Sequence, residues 1–328
     1  MKKIAINGFG RIGRITLRTL LERNNVEVVA INDLTDTITL AHLFKYDSVH
    51  RKFNGTVEAG DNFISINGKK IKVFAEKDPA NLPWKELEID FVIESTGKFT
   101  KSEEAMTHIT AGAKCVIISA PASGDDVKTV VLGVNESILD GSEKILSNAS
   151  CTTNCGAPMI KILDDNWGVE SCYISTVHSY TGDQRLHDAP HKDLRRARAA
   201  AISIIPTSTG AAKAITKIFP HLEGKMGGCG FRVPVPDGSL TDITCNLKTN
   251  PSVEEINAAF KNAAATSMKG ILEYSEEPLV SIDIVGNPHS CIFDAELTSV
   301  VGNMVKVIGW YDNEAGYSNR LADLVERL

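Results

Sequence analysis

Ile4-Ala5-Ile6-Asn7-Gly8-Phe9-Gly10-Arg11-Ile12-Gly13 is the stretch on which the fold turns. Ile4–Ile6 is a short β-branched run of the kind found in strands covered on both faces, and the glycines follow it as Gly-x-Gly-x-x-Gly. Beyond them, Ile12–Arg23 places apolar side chains at Ile12, Ile15, Leu20 and Leu21 and contains no proline, which predicts a helix. Val26–Ile31 is a second buried-strand run, so strand, helix and strand fall within the ~30 residues of a βαβ unit. In such a unit the first glycine permits a tight turn, the second lets a pyrophosphate approach the backbone, and the third packs helix on strand. The helix N-terminus then faces the phosphates with its partial positive charge. Asp33 stands at the end of the second strand, 20 residues past Gly13. A carboxylate there accepts from a ribose 2′-OH and repels a 2′-phosphate, which selects NAD over NADP. Gly8, Gly10, Gly13 and Asp33 are therefore expected at a cofactor site.

Working outward, Phe91–Ile93, Val116–Ile118 and Val130–Val134 read as further strands of the same sheet. Phe63–Ile66 and Ile71–Phe74 flank Gly68-Lys69-Lys70 and predict a hairpin added to it. After residue 150 the rhythm changes. Cys172–Val177, Arg232–Val235, Thr241–Leu247, Val280–Val285, Ser290–Asp294, Ser299–Val301 and Val305–Trp310 read as strands with few helices between them. Ser252–Lys269 reads as one long helix with Ser252 as its N-cap, and Glu314–Leu328 as a terminal amphipathic helix. The fold class expected is α/β, a dinucleotide-binding domain followed by a second, α+β domain on a mostly antiparallel sheet. A length of 328 residues suits two domains. Thr181–Ser208 is long, lacks strand signals and carries Arg185, Lys192, Arg195, Arg196 and Arg198, which marks a functional loop or, on its charge alone, a solvated face or interface edge.

A net charge of −6 gives no global attraction to nucleic acid or acidic membranes, so nucleic acid is not expected as a primary partner. Seven cysteines, odd in number and widely spaced, suggest reduced thiols in a cytosolic protein. Met1–Gly8 has a basic start but too short an apolar stretch for a signal peptide, and no run approaches a membrane span, so a cytoplasmic protein is expected.

Ser147-Asn148-Ala149-Ser150-Cys151-Thr152-Thr153-Asn154-Cys155 sets a cysteine among small polar residues just ahead of a helical pattern. Hydroxyls, backbone N–H groups and a helix N-terminus all favour a thiolate, so Cys151 is the expected nucleophile. Cys151 and Cys155 are four apart, but no second cysteine pair accompanies them, so no metal is expected and Cys155 reads as an inert neighbour. A thiol nucleophile wants a base. His178, at the end of a predicted strand, is the best of the eight histidines; His42, His50, His108, His187, His191, His221 and His289 read as lying on surface helices or loops. Arg196, Arg232, Thr181, Thr209 and Gly210 offer the guanidinium forks, hydroxyls and N–H groups that hold phosphate.

On these residues the chain resembles the phosphorylating glyceraldehyde-3-phosphate dehydrogenase family. The match spans the chain: Asn7–Arg14, Ser95-Thr96-Gly97, Ser147–Cys155, Arg195-Arg196-Ala197-Arg198, Ser208–Lys213, Phe231–Pro234 and Trp310–Tyr317. The resemblance implies a Rossmann-type NAD domain over 1–150 plus 313–328 and a catalytic domain over 151–312. It implies Cys151 as nucleophile and His178 as base. Ser150, Thr152, Thr209 and Gly210 would bind the attacking inorganic phosphate or the triose phosphate; Thr181 and Arg232 would hold the other phosphate, with Arg196 between. Arg11, Ile12, Asp33, Lys77, Ser119 and Asn313 would line the NAD site, Asn313 on the nicotinamide carboxamide. The long basic loop would lie at the core of a homotetramer. Lys77 stands where an Arg is frequent, and Ala189-Pro190 mixes the pairs common in NAD- and NADP-using members. Two other functions fit some of the residues: erythrose-4-phosphate dehydrogenase, which uses the same cysteine and histidine, and a nucleotide-responsive binding role.

Overall fold

The computed structural model describes residues 1–328. The chain divides into two compact units, Met1–Val130 with Ser137–Ala149 and Ser318–Leu328, and Val131–Glu136 with Ser150–Tyr317.

In the first unit, β1 (Lys2–Asn7) leads through α1 (Arg11–Leu20) to β2 (Val26–Asn32) and then α2 (Thr37–Lys45). An excursion of β3 (Val57–Ala59), β4 (Phe63–Ile66) and β5 (Lys69–Phe74) follows. Then come α3 (Trp84–Leu87), β6 (Phe91–Glu94), α4 (Ser102–Thr110), β7 (Cys115–Ile118), β8 (Lys128–Thr129) and β9 (Ile145–Ser147). The sheet order is β3-β4-β5-β2-β1-β6-β7-β9-β8. β3, β4 and β5 pair antiparallel, and every other neighbouring pair is parallel. β2 lies on one side of β1 and β6 on the other, so the order reverses at β1 and opens a crevice at its C-terminal end. The register sets Asn7 beside Asn32 on one flank and beside Glu94 on the other. Leu82, Trp84, Ile89, Val92, Ala105 and Val116 pack one core of this unit. Burying such side chains contributes about 1.5–3 kcal/mol each for the larger ones. Residues 318–328 are held by Lys2 Nζ, which donates to Val325 O and Glu326 O, and by the Arg23–Asp323 pair at 2.7 Å.

The second unit starts its longest helix at the cysteine motif: α5 (Cys151–Trp167) precedes β10 (Val169–Ser179), β11 (Ile205–Thr207) and α6 (Ala211–Ile218). β12 (Met226–Val233), β13 (Ser239–Leu247), α7 (Val253–Ala265), β14 (Leu272–Ser275), β15 (Cys291–Val301) and β16 (Met304–Tyr311) complete its order, and α8 (Ala315–Arg327) starts here but belongs to the first unit from Ser318 on. The sheet runs β11-β12-β10-β13-β16-β15-β14; β10–β12 and β14–β15 are parallel and the other pairs antiparallel. Ser252 caps α7 in a capping box with Glu255.

Two apolar runs do not form the strands their composition predicts. Val131–Glu136 is a turn, closed by Asn135 Oδ1 accepting from Val131 N, with Gly133 at φ 80°; only Lys128–Thr129 pairs. Around Val280–Val285 the chain turns as well: Val280 N donates to Asp283 Oδ2 and Asp283 N to Val280 O, so the aspartate closes the segment on itself. Ser290–Asp294 and Ser299–Val301, read as two strands, are one strand with a register shift between Asp294 and Ser299. His108, read as a surface residue, is fully buried.

Candidate active site

The first unit presents a cavity of about 480 Å³ at the switch point, lined by Gly8, Gly10, Asn32, Asp33, Lys77 and Thr96 among others. Its glycines differ in what they permit. A Cβ on Gly8 would lie 2.7 Å from Thr96 N, at a φ of +92°, and one on Gly13 would lie 2.2 Å from Gly8 O. Gly10 has nothing within 4 Å of its Cβ position, so the backbone at the start of α1 faces open space. That is the arrangement a pyrophosphate needs: two glycines packed tight to shape the turn, and one left open for approach. Asp33 is fixed by Phe9 N, which donates to Oδ2 at 2.8 Å, and by Thr35 N, which donates to Oδ1 at 3.0 Å. The dinucleotide therefore fits the residues present. Arg11 directs its guanidinium to Asp47 at 2.5 Å and stands with the half-buried Ile12 in the first turn of α1, outside the residues that line the cavity. Ser119 follows β7, its N–H on Glu94 O.

In the second unit the thiol is aimed by local backbone chemistry. Ala149, fully buried, sits at φ 56°, a left-handed conformation that costs a non-glycine residue about 1–2 kcal/mol. That turn delivers Ser150 as the N-cap of α5, its Oγ accepting from Thr153 N at 3.1 Å. Cys151 is then the first helical residue, and its Sγ lies 3.5 Å from His178 Nε2. β10 and β12 pair parallel with His178 opposite Arg232, which brings two residues 54 apart in sequence side by side. His178 Nδ1 is 2.8 Å from Ser179 O and 2.6 Å from Arg232 Nη1, which also donates to Ser179 O at 3.0 Å. These contacts favour opposite tautomers: a proton on Nδ1 donates to Ser179 O and leaves the Nε2 lone pair on the sulfur, whereas donation by Arg232 puts the ring proton on Nε2.

Burial pushes the Cys151 thiol up to about 11, against the Arg232 charge and the Thr152 hydrogen bonds, which pull it down. Burial and then Arg232 push the His178 imidazole down to about 3. Charging either group alone is therefore costly. Moving the proton from Sγ to Nε2 makes both charges together at 3.5 Å, where their attraction offsets much of that cost.

The remaining predicted residues are placed as follows. Thr152 is buried, its Oγ1 2.9 Å from Tyr311 OH, and both its backbone N–H and its hydroxyl act on the Cys151 thiol. Thr181, half-buried, donates its N–H to Gln184 Oε1 at 3.2 Å. Arg196 is paired with Asp183 through Nη1 and donates Nε to Thr207 Oγ1 at 3.0 Å. Thr209 Oγ1 accepts from Ala211 N, and Gly210 precedes α6. Asn313 Oδ1 accepts from Ser179 Oγ and Ser239 Oγ, each at 2.8 Å, which orients its amide. Cys155 is buried, with its thiol toward Gly309 O. The sequence reading did not single out Tyr311 or Asp183. Tyr311 bridges Thr152 and Thr176 and stands edge-on to His178, with ring centroids 5.9 Å apart; its only signal was its place in the Trp310–Tyr317 motif.

The chain is similar to known proteins over nearly its whole length. Residues 2–102 match the model of the glyceraldehyde 3-phosphate dehydrogenase NAD binding domain, and residues 150–313 match that of its C-terminal domain. Glyceraldehyde-3-phosphate dehydrogenase 1 of Bacillus cereus is 57% identical over 99% of this chain and 97% of its own length. Glyceraldehyde-3-phosphate dehydrogenase 2 of Streptomyces avermitilis is 55% identical over 98% and 97%, and the Clostridium pasteurianum enzyme 55% over 99% and 98%. A thiol–imidazole pair on a helix N-terminus, a glycine-lined nucleotide cleft and full-length likeness to these enzymes place the chain in the glyceraldehyde 3-phosphate dehydrogenase family.

Proposed function

We propose that the chain oxidises D-glyceraldehyde 3-phosphate to 1,3-bisphosphoglycerate, using NAD and inorganic phosphate. The observation that carries this is the Cys151 Sγ–His178 Nε2 approach of 3.5 Å beside Arg232, in a chain with the dinucleotide fingerprint. NAD, when bound, supplies the hydride acceptor. Cys151 Sγ attacks the aldehyde carbon, and the carbonyl oxygen becomes the hydroxyl of a hemithioacetal. His178 Nε2 takes that hydroxyl proton as the C–H bond gives up its hydride, leaving a thioester on Cys151. The Cys151 N–H, exposed at the first turn of α5, and the protonated imidazole steady the oxyanion. Phosphate then attacks the thioester carbonyl and expels the Cys151 thiolate as the acyl phosphate leaves.

The residue roles follow the same reading. Ser150, Thr152, Thr209 and Gly210 hold one anion; Thr181 and Arg232 hold the other, with Arg196 between. Arg196 is paired with Asp183, so an anion there competes with an internal partner. An anion on Arg232 likewise competes with His178 Nδ1 for Nη1, and leaves Nδ1 to Ser179 O in the tautomer that a base requires. Gly8, Gly10, Arg11, Ile12, Gly13, Asp33, Lys77 and Ser119 hold NAD, and Asn313 turns its Nδ2 to the carboxamide. We also propose a cytoplasmic homotetramer. Leu186, Leu194, Ile202 and Ile204, between 69% and 83% exposed, concentrate apolar surface in the long basic loop, which supports its burial against further copies.

The test is NADH formation followed by absorbance. Glyceraldehyde 3-phosphate with phosphate and NAD should give sustained turnover that stops without phosphate and is far weaker with NADP. Equal rates with erythrose 4-phosphate and no phosphate would instead assign the four-carbon reaction, and comparable efficiency with NADP would remove the role given to Asp33.

A further inference from the structure

Three register-matched polar side chains cross the switch point: Asn32, Asn7 and Glu94, on β2, β1 and β6. All three are nearly inaccessible. Asn32 Nδ2 donates to Asn7 Oδ1 at 2.7 Å, and Asn7 Nδ2 donates to Glu94 Oε2 at 2.5 Å. Asn32 also clasps the backbone of Glu76, accepting from its N–H at 2.8 Å and donating to its carbonyl at 2.9 Å. Glu94 Oε1 accepts from Thr96 N at 2.8 Å and from the Thr96 hydroxyl. One chain of bonds thus fixes the ends of three strands and the loops at Glu76–Lys77 and Ser95–Phe99 that line the nucleotide cleft.

Behind this chain lies His108, on α4. Trp84 Nε1 donates to His108 Nδ1 at 3.0 Å. An indole N–H can only donate, so Nδ1 accepts and the ring proton is on Nε2. His108 Nε2 therefore donates to Glu94 Oε2 at 3.1 Å. Four donors converge on Glu94 with no cation among them, so each neutral donor counts in holding a buried carboxylate. His108 is also wedged between aromatic rings: Trp84 stacks on it and Phe99, which lines the cleft, meets it edge-on, each at a centroid distance of 6.3 Å.

We infer that His108 is a positioning residue for the dinucleotide site: through Glu94 and Phe99 it pre-sets the strand ends and loops that NAD occupies. The inference rests on the cleft being the NAD site. Cleft groups already held in their bound geometry lose less freedom on binding, so loosening them weakens the ligand without touching the thiol chemistry.

His108→Phe keeps the ring and its stacking but removes both hydrogen bonds. His108→Gln returns an N–H close to the former Nε2. NAD titration by calorimetry on the full-length proteins should show binding weakened about tenfold in His108→Phe, the loss expected of one hydrogen bond to a charged group. His108→Gln should recover to within about threefold of wild type. Turnover at saturating NAD should stay within about twofold in both, because the reacting groups are untouched. A residue that only stabilised the fold would lower the melting temperature and leave the affinity of the folded protein unchanged. Folded His108→Phe protein that binds NAD as wild type does overturns the inference. Should that variant not fold, Glu94→Gln, which replaces the shared acceptor, serves instead: wild-type affinity overturns the inference and the same weakening supports it. A wild-type protein that binds no NAD would remove the dehydrogenase reading and this inference together; normal wild-type binding with unaltered variants removes this inference alone.

Discussion

Cys151→Ser is expected to cut turnover by at least about 10⁴-fold while NAD binding stays close to wild type. The sulfur is half-buried at the first residue of α5, aimed by the left-handed turn at Ala149 and the Ser150 cap. An alcohol there keeps the geometry and loses the chemistry: its proton is far harder to remove, and the ester it would form does not hold a thioester's reactivity toward phosphate. Because the side chain is nearly isosteric, folding should be preserved, and the loss reads as chemistry. Turnover within tenfold of wild type in Cys151→Ser would move the nucleophile elsewhere.

His178→Asn is the second large effect, a fall in turnover of about 10²–10⁴-fold with NAD affinity retained. The pH dependence of thiol alkylation gives a separate readout. On the proposed mechanism the sulfur hands its proton to Nε2, 3.5 Å away, which makes reactive thiolate available near neutral pH. Without the imidazole no group takes that proton, burial still holds the thiol above its ordinary value, and the thiolate is the reactive form. Iodoacetamide should therefore modify His178→Asn at least about tenfold more slowly than wild type at pH 7. Its rate should keep rising about tenfold per pH unit to pH 10. Equal alkylation rates in the two proteins at pH 7 would show that His178 does not activate the sulfur.

Local signals carried much of this in the sequence. The glycine spacing after Ile4–Ile6 announced the first βαβ unit because tight turns and helix starts are specified within a few residues. Ser150 as a cap and Cys151 as the first helical residue are local for the same reason. What pairs distant residues was not legible. Nothing in the spacing places Arg232 beside His178; the parallel register of β10 with β12 does so. Tyr311 reaches Thr152 and Thr176 only once β16 and β10 flank β13. His108 read as exposed because Glu103, Glu104 and Thr107 surround it in sequence, and its burial depends on Glu94 arriving as a partner from β6. Beyond Val130, whose N–H still reaches Ser147 O, the run to Val134 leaves the sheet, and Val280–Val285 pairs with no strand; short polar turn closures win at both.

On the proposed mechanism, oxidation proceeds through an acyl group on Cys151. Its most direct measurement mixes the protein with NAD and glyceraldehyde 3-phosphate without phosphate, quenches in acid, and weighs the Cys151 peptide by mass spectrometry. A phosphoglyceroyl thioester is expected on Cys151, formed in step with one NADH per site and discharged when phosphate is added. NADH formed with Cys151 unmodified, or an acyl group carried by another cysteine, would contradict it.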